Sequence, residues 1–315
     1  MLDYSIEVEH YDSHLGEIID LLKKNGELDN TLIVATSDHG MPFPRVKGQA
    51  YESSNHIPLA IRWPKGINGR GRVITDYVSF VDLAPTFIEA AKVGQISPIM
   101  QSITGRSLLE LFRSPKSGLI IPDRDHVLIG KERHDIGRPN NWGYPIRGIV
   151  KNNMLYLHNF KPNRWPSGHP LTGYLNCDGS PTKTAILKQR RNGTSYFWNL
   201  SFGKRQREEL FDLKQDLDCI NNLAKSERHL KLKEKLKKEL FSKLSKQGDP
   251  RMFGKGDVFD NYPYSGKSTD NFFQRYQSGE KVRAGWVSSS DFETSHLSLF
   301  AVSYTHLTLP TILLV

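Results

Sequence analysis

The chain has 315 residues, is 37% apolar and 24% charged, and carries a formal charge of +9; these values exclude fibrous and wholly disordered classes and allow one large domain plus a smaller one. Its two cysteines, Cys177 and Cys219, exclude a disulfide scaffold and leave open one bridge or two free thiols. No apolar run reaches the roughly 18 residues of a membrane span and no basic-then-apolar leader follows Met1, so no membrane insertion is expected, and Met1 reads equally as an internal methionine of a longer coding sequence.

Residues 14 to 24 place Leu15, Ile18, Ile19 and Leu22 at helical spacing, with Asp12 or Ser13 to cap the start and Gly26 past the end. Thr31 to Thr36 is an apolar, β-branched run that predicts a buried strand, half of a βαβ unit, and it stops at Asp38 and His39, where α/β sheets present ligands. Residues 41 to 56, with Pro42 and Pro44, predict a mobile loop from that strand end, and Ile57 to Trp63 a second strand. Val78 to Val93 reads as a helix that tolerates Pro85 in its first turn, Thr104 to Phe112 as a short helix, and His126 to Ile129 as a strand ending in the cluster GKERHD.

From Tyr144 the pattern turns to hairpins. Pro145 to Val150 and Met154 to Asn159 flank Lys151, Asn152 and Asn153; Tyr196 to Leu200 and Glu209 to Leu213 are further strand candidates, and 161 to 183 is expected to be loop. Residues 221 to 244 repeat leucine at 236, 240 and 244 with lysines on other faces, an amphipathic helix packed on the small sheet or, as the competing reading, a membrane or heparin-like contact. After Gly248 an extended arm is expected, and the apolar end from Ser303 to Val315 is out of character and is set aside as read-through.

The chemistry-bearing residues sit at the ends of apolar runs. Asp38 offers a hard carboxylate and His39 an imidazole, a pair that zinc or manganese would accept and that for calcium or magnesium is unusual in its histidine. Lys47, followed by Glu52 and His56, is placed to hold an anionic oxygen. Arg133, His134 and Arg138, interleaved with Lys131, Glu132 and Asp135, could grip a tetrahedral oxyanion and protonate a leaving group, with Arg147 beneath them. For each residue alone a plain surface or turn role competes with these.

The run HLGEIIDLLKKNGELDNTLIVATSDHG, followed in order by MPFPRVKGQAYESSNHIPLAIRWP, YVSFVDLAPTFIEA, TGRSLLELF and ELFDLKQDLDCINNLA, resembles the sulfatase family of the alkaline-phosphatase-like superfamily. MPFP, GKERHD, GYPIRGIV and LYLHNF are most similar to its heparan N-sulfatase (N-sulfoglucosamine sulfohydrolase) branch. The resemblance covers roughly residues 1 to 290 and implies an α/β, alkaline-phosphatase-like fold with a partial central sheet, followed by a smaller C-terminal antiparallel sheet with a helix. It implies one Ca2+, with Mg2+ as the variant, at Asp38 and His39, sulfate contact by Lys47 and catalysis by Lys47 and His134, and substrate contact by Arg133, Arg138 and Arg147. The implied partner is a sulfated saccharide rather than nucleic acid, and the implied compartment for the full-length protein is periplasmic, secreted or lysosome-like.

One departure stands out. The family's nucleophile is a formylglycine made from Cys or Ser in a C-x-P-S-R type motif, and neither Cys177 (CDGSP) nor Cys219 (CINNL) fits it. The chain therefore reads as the later part of a sulfatase, inactive alone, with residues 1–140 completing a catalytic domain, 141–247 a small subdomain, 248–302 an arm and 303–315 a non-native tail. A phosphoester or phosphonate hydrolase of the same superfamily and a noncatalytic polyanion-binding protein are the alternatives.

Overall fold

The computed structural model describes residues 2–69, 71–94, 102–134, 136–266 and 268–294; Asp135, the last residues of the arm and the 303–315 tail lie outside them. Helix α1, Leu2–Lys24, is longer than the expected 14–24. Asp12 and Ser13 lie within it, exposed, at about 0.5–0.7 kcal/mol each relative to alanine, and Gly26, at φ +72°, follows its end. Strand β1, Ile33–Thr36, precedes helix α2, Glu52–Asn55, and strand β2, Leu59–Arg62. Helices α3, Leu83–Ala90, with Pro85 in its first turn, and α4, Leu109–Arg113, lead to strand β3, His126–Lys131.

Strands β4, Ile146–Lys151, and β5, Met154–Asn159, are joined by Asn152 and Asn153 at φ 51° and 59°. Both turn residues are left-handed, as a two-residue type I′ hairpin requires and as asparagine tolerates. Helix α5, Pro181–Arg191, capped by Ser180, begins inside the stretch expected to be loop. Tyr196–Phe202 is helix α6 and not the expected strand. Its three consecutive aromatics look β-prone, but helical spacing is what buries Trp198, Ser201 and Phe202 while leaving Tyr196 and Phe197 outside. Strand β6, Glu208–Asp212, and helix α7, Leu230–Lys246, follow. The arm is compact where an extended path was expected: helices α8, Val258–Asn261, and α9, Phe272–Gln277, alternate with tight turns.

The sheets are a two-stranded pair, β1 with β2, and a four-stranded sheet in the order β3-β4-β5-β6. The chain divides into two compact units, Met1–Asp38 with His56–Leu128 and Ile149–Met154, and His39–Asn55 with Ile129–Gly148 and Leu155–Val315. No single cut near residue 140 separates them. In the first, β1 and β2 are antiparallel, Ile33 facing Arg62 and Thr36 facing Leu59, and Thr36 Oγ1 donates to Pro58 O at 2.7 Å. β1 is only half-buried, not the buried strand expected, because β2 is its one strand neighbour among the described residues. An open apolar groove of about 410 Å³ runs beside it, lined by Leu32, Val34, Trp63 and Phe87, and α1 has no buried residue. Order further along comes from a polar knot: buried Arg124 donates to Asp82 at 2.7 Å and to the carbonyls of Arg106 and Ser107, while Asp82 accepts from the Arg106 and Ser79 amides.

The second unit has a denser core. Trp165, Tyr174, Ile186, Leu187, Trp198 and Phe202 form one cluster, and Ile136, Leu175, Phe272 and Ala284 another. Leu236, Leu240 and Leu244 of α7 are buried, as their spacing predicts, and Phe241 meets the His158 ring edge-on at 5.2 Å. The last described turn is tied down by charge: Lys183 to Asp291 at 3.2 Å with both side chains fully buried, and Arg190 and Arg191 to Glu293 at 3.3 and 3.1 Å. Cys177 and Cys219 are separate free thiols, and burial pushes both up to about 12, so neither is a ready nucleophile at neutral pH.

Candidate anion-binding site

The loop after His39 is fixed in place, contrary to the mobility expected of it. Arg45, at φ 72°, donates to the carbonyls of Leu200, Asp218 and Cys219 and stacks over Tyr51 at 4.2 Å. Tyr51 is buried against Phe211 and donates to Glu209 at 3.0 Å. Gln49 donates to Ser167 Oγ at 2.8 Å. A proline-rich segment without regular structure is thereby held by side-chain bonds in place of a backbone ladder.

Lys47 and His134 lie near enough at this loop for the lysine's charge to act on the imidazole. Lys47 Nζ makes a two-pronged contact with Asp178, 2.8 and 2.9 Å, at a partly exposed position. Lys131, the last residue of β3, turns its ammonium inward, donating to Gly48 O and, at 3.3 Å, to Pro166 O, with the Tyr144 ring at 5.4 Å. Gly48 has φ +69°, and a Cβ there would stand 3.0 Å from His134 Nδ1, so the loop closes on the histidine only because this residue is glycine. Buried Arg138 donates to Trp165 O at 2.7 Å and Pro166 O at 2.9 Å.

These groups form an electropositive cluster. Burial, then the charges of Lys131, Lys47, Arg138 and His39, pull the His134 imidazole down to about 4, so it is neutral at pH 7. Burial, with Arg138 and Arg205 nearby, also draws Lys131 well below the usual amine range. An excess of positive groups held from solvent and each other's repulsion is what an anion would relieve.

The remaining residues face elsewhere. Arg133 donates to the carbonyls of Phe259 and Tyr262, both at 2.8 Å, and lies over Tyr264. Arg147 is clamped between Asp249, at 2.5 Å, and Glu132, at 2.7 Å, and Glu132 also takes a two-pronged contact from Arg251. Both guanidiniums hold the arm to the sheet. Asp38 is exposed just beyond β1, and His39 Nδ1 sits 2.5 Å from Gly40 O. Glu52 opens α2, and His56 begins the next segment of the first unit. Sequence reasoning passed over Lys131 as interleaved charge and Asp178 altogether; the strand-end position of Lys131 was a usable signal, whereas nothing in the spacing ties residue 178 to Lys47.

The fold is α/β, with a partial main sheet and a separate C-terminal sheet with helices. The chain matches the family model "Sulfatase" over residues 1–93. It is 26% identical over 263 residues to an ulvan-active sulfatase of Formosa agariphila, covering 82% of this chain and 40% of that protein. It is 28% identical over 242 residues to human N-sulphoglucosamine sulphohydrolase, covering 74% of this chain and 45% of that protein. A protein solved in complex with its substrate D-glucosamine-2-N,6-O-disulfate shares the fold at a TM-score of 0.51 and 22% identity, over 77% of this chain and 40% of that one. The chain thus spans less than half the length of these relatives. No described helix is long and apolar enough to cross a membrane.

Proposed function

We propose that this chain is the anion-holding portion of a hydrolase of sulfuric esters or sulfamates on sulfated glycans, N-sulfated glucosamine being the preferred unit. The observation that carries the reading is the convergence of Lys47, Lys131, Arg138 and His39 on a neutral His134. Support for the substrate comes from the sulfated sugars named for the similar proteins and from the resemblance carried by the GKERHD and MPFP segments.

In this reading the sulfuryl oxygens displace Asp178 from Lys47, whose ammonium then faces the charge that builds on them. Lys131 and Arg138 keep their bonds to backbone carbonyls and supply a fixed positive field. An arriving anion offsets part of the positive field at His134 and so raises its proton affinity, which favours the imidazolium that can donate to the departing oxygen or nitrogen. Asp38 and His39 offer two donors, fewer than the six to eight oxygens of a calcium site, so they would hold a metal only with ligands from outside this set. The attacking oxygen would come from a formylglycine hydrate on a segment outside these residues.

The test assays this chain beside a version extended upstream through a maturation motif, on N-sulfated and 6-O-sulfated glucosamine. Only the extended protein is expected to turn over, and Lys47→Ala or His134→Gln in it should lower kcat/KM by about 10²–10³. Turnover by the short chain, or unchanged kinetics in both variants, refutes the reading.

A further inference from the structure

Helix α7 carries seven lysines against two glutamates. Three of the lysines are used locally: Lys233 and Lys237 hold Glu208 at 3.1 and 2.9 Å, and Lys243 pairs with Glu239 at 3.7 Å. Glu234 is occupied by Lys233 at 3.4 Å. That leaves Lys231, Lys235, Lys238 and Lys246, all exposed and with no carboxylate partner among the described residues.

Their spacing is not scattered. At 100° per residue the four fall within an arc of about 80°, centred opposite Leu236, Leu240 and Leu244, and run about 22 Å along the axis with exposed Ser242 inside the arc. Because the leucines are buried in the core, α7 has no apolar face to offer a membrane, which removes the amphipathic-anchor alternative. The stripe also lacks an aromatic platform on which nucleic-acid bases would stack.

We infer that this lysine row is a docking surface for a sulfated polysaccharide chain, separate from the pocket at His134. A single file of ammonium groups with an intervening hydroxyl matches a linear polymer bearing sulfates at intervals, and it would hold the chain while another of its units is processed. The choice of polymer rests on the sulfated-glycan reading above; the row itself does not.

The experiment measures retention of the whole chain on immobilised heparin, with chondroitin sulfate and duplex DNA as competitors at equal charge. Replacing Lys231, Lys235, Lys238 and Lys246 by Gln should weaken heparin binding about tenfold. A control with the same loss of charge at exposed Lys23, Lys24, Lys65 and Lys116 should change it less than about twofold. Equal losses in the two variants, no heparin binding at all, or duplex DNA competing as well as the glycans would each overturn the proposal. In the extended protein the row's variant should keep full turnover of a sulfated monosaccharide, so failure of the docking surface and failure of the catalytic reading give different results.

Discussion

The region around α1 and β1 and the core around α5, α6 and α7 solve the same burial problem to very different extents. α1 runs for 23 residues without one buried side chain, with Leu2, Ile6, Ile18 and Leu21 all more than half exposed, whereas Trp198, Phe202, Leu187 and Leu240 are 2% exposed or less. A helix of that length gains little from propensity alone and draws most of its stability from a packed face. The comparison teaches that the second unit contains its own stabilising core, whereas the helix that opens the first has no packed face among the described residues.

The largest expected effect tests the self-sufficient side. Asp291→Asn leaves the Lys183 ammonium uncompensated in a fully buried position and should cost about 3–5 kcal/mol, read from a denaturant melt followed by tryptophan fluorescence. A loss below about 1 kcal/mol would show that the last turn is not part of that core.

Acid should separate the regions next. His134, His158 and His169, all in the second unit, are each lowered by burial from 6.5 to about 4, His134 and His169 further by neighbouring cations and His158 by Lys237. The unfolded chain therefore takes up as many as three protons that the folded one refuses, so stability is full above about pH 6.5 and falls as pH drops toward 4. Histidine resonances titrating near 6.5 in the folded protein would remove this account.

The smallest effect is expected on α1. Leu21→Ala, at a side chain 58% exposed, should shift stability by no more than about 0.5 kcal/mol in this chain. A loss above about 2 kcal/mol would mean that this side chain is packed after all.

Much of the fold was legible where periodicity and burial agree. The leucines of α7 and the asparagine turn between β4 and β5 each pair a local signal with the environment it predicts. Tyr196 to Leu200 failed because aromatic content is shared by strands and buried helices, and only the packing of Trp198 and Phe202 decides between them. α5 was missed because its face is built from Lys183, Ile186, Leu187 and Arg190, two of them charged residues that are buried by ion pairs rather than by apolarity. In the pocket, Lys47 and His134 could be proposed from their places after apolar runs. Arg133 is adjacent to His134 in sequence but points to the arm, since neighbouring residues project to opposite sides, and Asp178 is 131 residues from the lysine it holds.

The tethering of residues 41 to 56 has a consequence for proteolysis. Trypsin needs a basic side chain swung free and a few residues of pliable backbone, and Arg45 and Lys47 offer neither while their charges are occupied by three carbonyls and a carboxylate. A brief digest should cut after exposed Lys23 and Lys24 well before it touches this loop, so the segment with almost no regular structure would outlast the long helix that precedes it.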